Sequence, residues 1–210
     1  MSLYLVLEGG DGVGKSHQAR LLRDWLLDQG QQVRHLREPG STTTGEAIRQ
    51  LLLDPGTGGL SPWAEALLFS AARVELVQRH VRPALDRGEL VLAERCWLST
   101  MAYQCLAPAD PGQRVPLEEL ERITRQAHGD TWPHRVFLLD VDRAVRQERI
   151  TGPRDRIEAR SEAFHEAVRQ AYLELAERDA RVQVVDATGP PDAVQARLRQ
   201  ETAALLTAVR

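Results

Sequence analysis

The sequence predicts an α/β fold: one doubly wound, five-stranded parallel sheet flanked by helices. Short apolar runs alternate with long helical patterns along the chain. The runs are β-branched and almost continuously apolar, as strands covered on both faces must be. The chain has 210 residues, 42% hydrophobic and 27% charged, which suits one sizeable core and leaves little for a second.

The predicted strands are LYLVLE (3–8), QVRHL (32–36), LVLAE (90–94), RVFLLD (135–140) and VQVVDA (182–187). Helical stretches fall between and after them, at about 15–29, 45–53, 62–87, 97–106, 116–128, 142–150, 158–179 and 190–208. The third is the best marked: Ser61 reads as N-cap, Pro62 as first helical residue and Gly88 as stop, with Glu65 one position late for a capping box. Pro83 inside it predicts a kink or break near Arg82.

A net charge of −3 offers no general attraction to nucleic acid or to an anionic membrane. No apolar run reaches the 18 or more residues of a membrane span. MSLYLVLEGG has too short an apolar run for a signal peptide and no basic residue before it. Cys96 and Cys105 form no CxxC and have no His at zinc spacing, so both read as reduced thiols of a cytoplasmic protein.

GGDGVGKS (9–16) matches GxxxxGK[ST], a Walker A pattern between a predicted strand and a predicted helix. The fold is thus of the P-loop NTPase type. Gly9, Gly12 and Gly14 let the backbone curl around a phosphate, and Gly10, Asp11, Val13 and His17 complete the ATP-binding loop. The helix that follows adds its positive end. Ser16 supplies a hydroxyl to Mg²⁺. Lys15 is the only lysine in a chain with 26 arginines. A compact ammonium fits under such a loop where a planar, forked guanidinium does not. With one lysine already used, the NKxD motif of a GTPase is impossible, and no LSGGQ-like signature is present. Kinases and small ATPases remain.

Further motifs choose among these. EGGDGVGKS, REPGSTTTGE, LLFSAARVELV, ER followed by LSTMAYQ, DRIE and AYLELA occur in one order over roughly residues 3–189. In this the chain resembles the thymidylate kinases. The resemblance implies ATP-dependent phosphorylation of dTMP to dTDP by a homodimer with a nucleoside monophosphate kinase fold and a short lid at about 149–158, the whole of 1–210 forming one domain. It implies that Arg37 and Arg95 hold the acceptor phosphate, that Phe69 stacks on thymine and that Arg73 bonds its O4. Thr100 and Gln104 would lie at the thymine edge, Tyr103 against the sugar, and Asp11 near the 3′-OH and phosphate. The residues suit these roles: Phe69 and Arg73, four apart, share one helix face, and a charge on an otherwise apolar stretch demands a partner.

TGP (151–153) breaks the helical pattern and reads as a lid loop, with Arg149, Arg154 and Arg156 around it. In the family resembled, a lid arginine approaches the transferring phosphoryl when the phosphate loop lacks one. Here the loop carries Val13. Arg154 or Arg156 is therefore expected to neutralise developing charge, and Arg149 to stack on adenine. The chain departs from the family where Glu94 replaces the usual Asp, Cys96 and Trp97 replace an aromatic-led pair, and His17 stands for Thr or Ser. Glu94 reaches one methylene further and is the second expected Mg²⁺ residue. A kinase for another nucleoside or nucleotide, or a nucleotide-binding homologue of weak activity, are the alternatives the sequence leaves open.

Overall fold

The computed structural model describes residues 2–108, 110–150 and 153–208. Five parallel strands run in the order β2-β3-β1-β4-β5: β1 (Tyr4–Glu8), β2 (Val33–Arg37), β3 (Leu90–Glu94), β4 (Arg135–Asp140) and β5 (Val182–Asp186). Alternate strand residues feed two cores. Tyr4, Val6, Val91, Ala93, Val136 and Leu138 face one side; Leu5, Leu7, Leu92, Phe137 and Leu139 face the other. Helices α1 (Lys15–Asp28) and α9 (Pro191–Ala208) cover the second face through Leu22, Leu26, Val194 and Leu198.

The first face is covered by α3 (Pro62–Leu76), α5 (Trp97–Thr100), α6 (Leu117–His128) and α8 (Glu162–Arg178), with α2 (Thr43–Leu53) packed on α3. Ser61 Oγ does cap α3, accepting from Ala64 N at 3.4 Å. The predicted long helix passes through a wide π-type turn at Val77–Val81 and resumes as α4 (Arg82–Asp86). The disturbance sits where Pro83 has no N–H to return to the preceding turn. Likewise α5 opens into a π-type stretch at Met101–Leu106 instead of staying α-helical to 106.

Helix α7 (Arg143–Arg149) precedes the segment expected to form a lid, of which Thr151 and Gly152 lie outside the described residues. The expectation of helix from 158 is corrected: α8 starts at Glu162. Asp155 Oδ1 accepts from the N–H groups of Ile157 and Glu158, both at 2.8 Å, which holds a turn there, and Ser161 caps the helix. Helix α2 begins at Thr43, two residues early, because Thr42 Oγ1 accepts from Gly45 N at 2.8 Å. Among the described residues no helix is long and apolar enough to cross a membrane.

Candidate active site

Three strands end at one place. β1 runs into the phosphate loop, β2 into Arg37 and Glu38, and β3 into Glu94 and Arg95, with Glu94 in register beside both Leu7 and Arg37. Their exits open a cleft of ≈ 590 Å³ at the sheet's carboxyl edge, where the connections from β1 and its neighbours diverge. Fourteen of the predicted residues line it: Asp11, Gly12, Gly14, Lys15, Ser16, His17, Arg37, Phe69, Glu94, Arg95, Thr100, Tyr103, Gln104 and Arg149. Gly9, Gly10 and Val13 lie on the loop's inner side, against β4. A Cβ on Gly9, at φ 137°, would stand 2.5 Å from Leu139 O, so only glycine lets the loop sit on that strand.

Lys15 Nζ folds back over the loop, donating to Gly9 O at 2.9 Å and Gly10 O at 2.5 Å. Burial, helped by Arg95, pushes its pKa down to about 8, although Asp11, Glu8 and Glu94 pull the other way. Arg95 crosses to the loop: one Nη donates to Asp11 Oδ1 and the other to Ser99 Oγ at 3.0 Å and Gly9 O at 3.3 Å. Tyr103 donates to the second Asp11 oxygen at 3.1 Å. Burial raises the Asp11 pKa, but Arg95, Lys15 and Tyr103 outweigh it and hold the carboxyl below its ordinary value. Arg95 itself sits at φ 70°, a left-handed backbone that costs a non-glycine residue of order 1–3 kcal/mol.

Glu94 bridges two elements. Its Oε2 accepts from Ser16 Oγ, and its Oε1 meets His35 Nε2 at 3.0 Å. Burial raises its pKa, yet these hydrogen bonds from His35 and Ser16 lower it more, so the carboxylate is held ionised. Ser16 and Glu94 thus present two hard oxygen donors side by side at the loop's mouth, a set that suits Mg²⁺ shared with phosphate oxygens and water. The longer Glu is what spans from β3 to both partners.

The other end of the cleft is built on α3. Half-buried Phe69 lines it, and Arg73, one turn on, is only 2% exposed. Arg73 Nε donates to Glu38 Oε2 at 2.7 Å, and one Nη donates to Cys96 O and Thr100 Oγ1, both at 3.0 Å; its other Nη has no partner. Gln104, 3% exposed, donates through Nε2 to Glu65 Oε1 at 2.8 Å, and its Oε1 has no partner. Arg37, half-exposed, is held by Glu46 at 3.1 Å. Arg149 enters from α7, its guanidinium bonded to Ala187 O at 2.9 Å and Thr188 O at 3.2 Å.

Arg156 does not line the cleft: its Nε donates to Leu52 O at 2.7 Å and its Nη to Glu65 Oε2 at 2.6 Å, which ties it to α2 and α3. A buried glutamate holds this side chain. Arg154 does not line the cleft either, and lies exposed, 4.0 Å from Glu162.

Several residues escaped sequence reasoning. Glu8 is fully buried, and its carboxylate accepts from Gly9 N at 3.1 Å, Cys96 N at 2.8 Å, Ser99 Oγ at 2.7 Å and Tyr172 OH at 2.9 Å. The signal was there: an acid ending an apolar strand needs partners. His35 and Arg49 had none, since both read as ordinary polar residues on a partly exposed strand and helix. Arg49 lines the cleft, donating to Pro39 O at 3.1 Å.

Comparison with known proteins gives the family. The family model described as thymidylate kinase matches residues 7–198. A thymidylate kinase of Symbiobacterium thermophilum is 43% identical over 95% of this chain and 92% of its own length. One from Clavibacter michiganensis subsp. michiganensis is 41% identical over 98% and 97% respectively. The crystal structure of thymidylate kinase from Ehrlichia chaffeensis superposes with a TM-score of 0.78 at 25% identity, over 96% of this chain and 98% of that one. A phosphate loop and a half-buried aromatic pocket sharing one cleft, in a chain matched along nearly its whole length, place it in the thymidylate kinase family.

Proposed function

We propose that the chain transfers the γ-phosphoryl group of ATP to dTMP, giving dTDP for dTTP synthesis, within one nucleoside monophosphate kinase domain whose lid spans about 149–158. One observation carries this reading: Lys15 and Phe69 line the same cleft, so a triphosphate tail and a flat base can meet inside it.

The two substrates are both polyanions, and the task is to bring them together. Phosphoryl transfer asks the protein mainly for positioning and charge neutralisation. Lys15 and the loop N–H groups take the ATP phosphates, and Arg149 takes the adenine. Arg37 and Arg95 take the acceptor phosphate, with Asp11 fixing Arg95 and facing the sugar beside Tyr103. Phe69 stacks on thymine, and Arg73, Thr100 and Gln104 read its edge. Charge neutralisation at the transferring group falls to Arg154 or Arg156, brought in as the lid closes. Lid closure excludes water, which would otherwise compete as acceptor. No general base is assigned, because the acceptor phosphate is already an anion.

Ser16 and Glu94 would hold Mg²⁺, whose contribution when bound is to neutralise charge on the phosphate oxygens. Leu51, Trp63 and Leu67 are exposed on the packed α2–α3 pair, an apolar face that supports a homodimer. Cys96 and Cys105 are free and buried, in keeping with the cytoplasm.

The test is direct. Purified protein with ATP and Mg²⁺ is expected to phosphorylate dTMP far faster than dCMP, dGMP or AMP. Preference for another acceptor, or ATP binding with no turnover, would replace this reading with one of the two alternatives.

A further inference from the structure

Glu65 is a buried carboxylate that no step above uses. It sits in the first turn of α3, one turn before Phe69, and is 3% exposed. Three side chains donate to it: Gln104 Nε2 to Oε1 at 2.8 Å, Arg156 Nη to Oε2 at 2.6 Å, and Arg160 Nη to both oxygens at 2.8 and 2.9 Å. Its partners are themselves anchored. Arg156 donates to Leu52 O and, through its backbone N–H, to Leu53 O at 3.1 Å, while the Arg160 guanidinium lies 4.7 Å over the Phe164 ring.

We propose that Glu65 is a positioning residue for base selectivity, fixing which end of the Gln104 amide is left for the pyrimidine. The inference rests on reading the cleft as the dTMP site. An amide can turn over, exchanging donor for acceptor, at little intrinsic cost. A carboxylate carrying two guanidinium groups can only accept. It therefore holds Gln104 with Nε2 inward and leaves Oε1, an acceptor without a partner, for a ligand. The unpartnered Nη of Arg73, one turn after Phe69 on α3 and bonded through its other Nη to Thr100 of the cleft, is a donor that cannot invert. Glu38 Oε1, on the carboxylate that holds Arg73, is also without a partner, but among the groups beside Phe69 and Thr100 Arg73 and Gln104 form one donor and one acceptor. That pair matches the C4 carbonyl and N3–H of a thymine or uracil edge. It is the reverse of what cytosine presents, an amino donor at C4 and an acceptor at N3.

Glu65→Gln is the test, because an amide at this position can accept or donate and so releases Gln104 to turn over. Catalytic efficiency for dTMP relative to dCMP is expected to fall at least about tenfold, through the KM of dTMP, with the KM of ATP unchanged. In a Gln104→Ala background the same substitution is expected to change that ratio no further, which a merely structural role for Glu65 would not produce. Unchanged discrimination in an active Glu65→Gln enzyme, or losses that multiply in the double variant, would overturn the assignment and leave the kinase reading intact. Failure of the wild-type protein to act on dTMP would overturn both. Should the variant not fold, the ¹⁵N-labelled wild-type protein decides. The Gln104 side-chain NH₂ protons are expected to keep their cross-peaks to Glu65 when dTMP is added, and their transfer to the base would refute the proposal.

Discussion

Arg95 donates to Asp11 across the mouth of the cleft, fastening the end of β3 to the phosphate loop. Tyr103 secures the second Asp11 oxygen and Ser99 the second Arg95 nitrogen, so the guanidinium is set before any substrate arrives. Such preorganisation lets a charge act on a developing anion without first being moved into place. Arg95→Ala is expected to lower kcat/KM for dTMP by about 10²-fold or more. Steady-state kinetics check this, and a loss of less than about threefold would remove Arg95 from the phosphate site.

Phe69 lines the cleft with a flat apolar ring, which on the proposed reading stacks on the base. Base–aromatic stacking is worth about 1–3 kcal/mol. Phe69→Ala is accordingly expected to raise the KM for dTMP about tenfold or more while leaving kcat within a small factor. Unaltered dTMP kinetics would show that Phe69 does not stack.

Lys15 gives the site a pH signature. Its pKa in the folded chain is about 8, against an ordinary 10.5. Between these values the unfolded chain binds the proton and the folded chain does not, so this group makes stability rise with pH there, the reverse of a salt-bridged lysine. A triphosphate restores the proton by favouring the ammonium. ATP binding is therefore expected to take up protons at about pH 8.5 and none at about pH 6.5, and affinity should weaken as pH rises past about 8. Calorimetry in buffers of different ionisation enthalpy measures the uptake. Its persistence in Lys15→Met would assign the effect elsewhere.

The sheet and the phosphate loop were legible because each rests on local chemistry: apolar β-branched runs, and glycines spaced with Lys15 and Ser16 in one short stretch between strand and helix. Phe69 and Arg73 were legible as a pair because helical spacing sets them on one face. What the sequence hid depends on partners far along the chain. The bond from Arg156 to Glu65, 91 positions away, is one of these. Arg95 bonding Asp11 and Glu8 bonding Tyr172 likewise exist only once β1, β3 and α8 are packed together. The helix ends that moved did so for short-range reasons, through the caps at Thr42 and Ser161.

Glu8 is the buried anchor beneath the loop, and its effect should appear as stability. Glu8→Leu would leave two backbone N–H groups and one hydroxyl without an acceptor, since Ser99 Oγ and Tyr172 OH, 2.8 Å apart, have only each other. The expected cost is about 3 kcal/mol or more, read from the denaturant midpoint at constant m. A change below about 1 kcal/mol would mean that water or neighbouring groups replace the carboxylate.

Glu94 stands where a shorter acid is usual, and its length is used twice, once toward Ser16 and once toward His35. Glu94→Asp keeps the charge but retracts it by one methylene, so both contacts cannot be made from the same backbone. The Mg²⁺ concentration for half-maximal rate is expected to rise about tenfold or more, with the KM for dTMP unmoved. His35→Ala should shift the Mg²⁺ requirement in the same direction by less, since it removes only the group that orients the carboxylate. Titration of the rate with Mg²⁺, and of Mn²⁺ binding by magnetic resonance with ATP present, checks both. If Glu94→Asp binds the metal as tightly as the natural chain, Ser16 and the phosphates suffice, and Glu94 serves instead to hold Ser16 and His35 together at the end of the sheet.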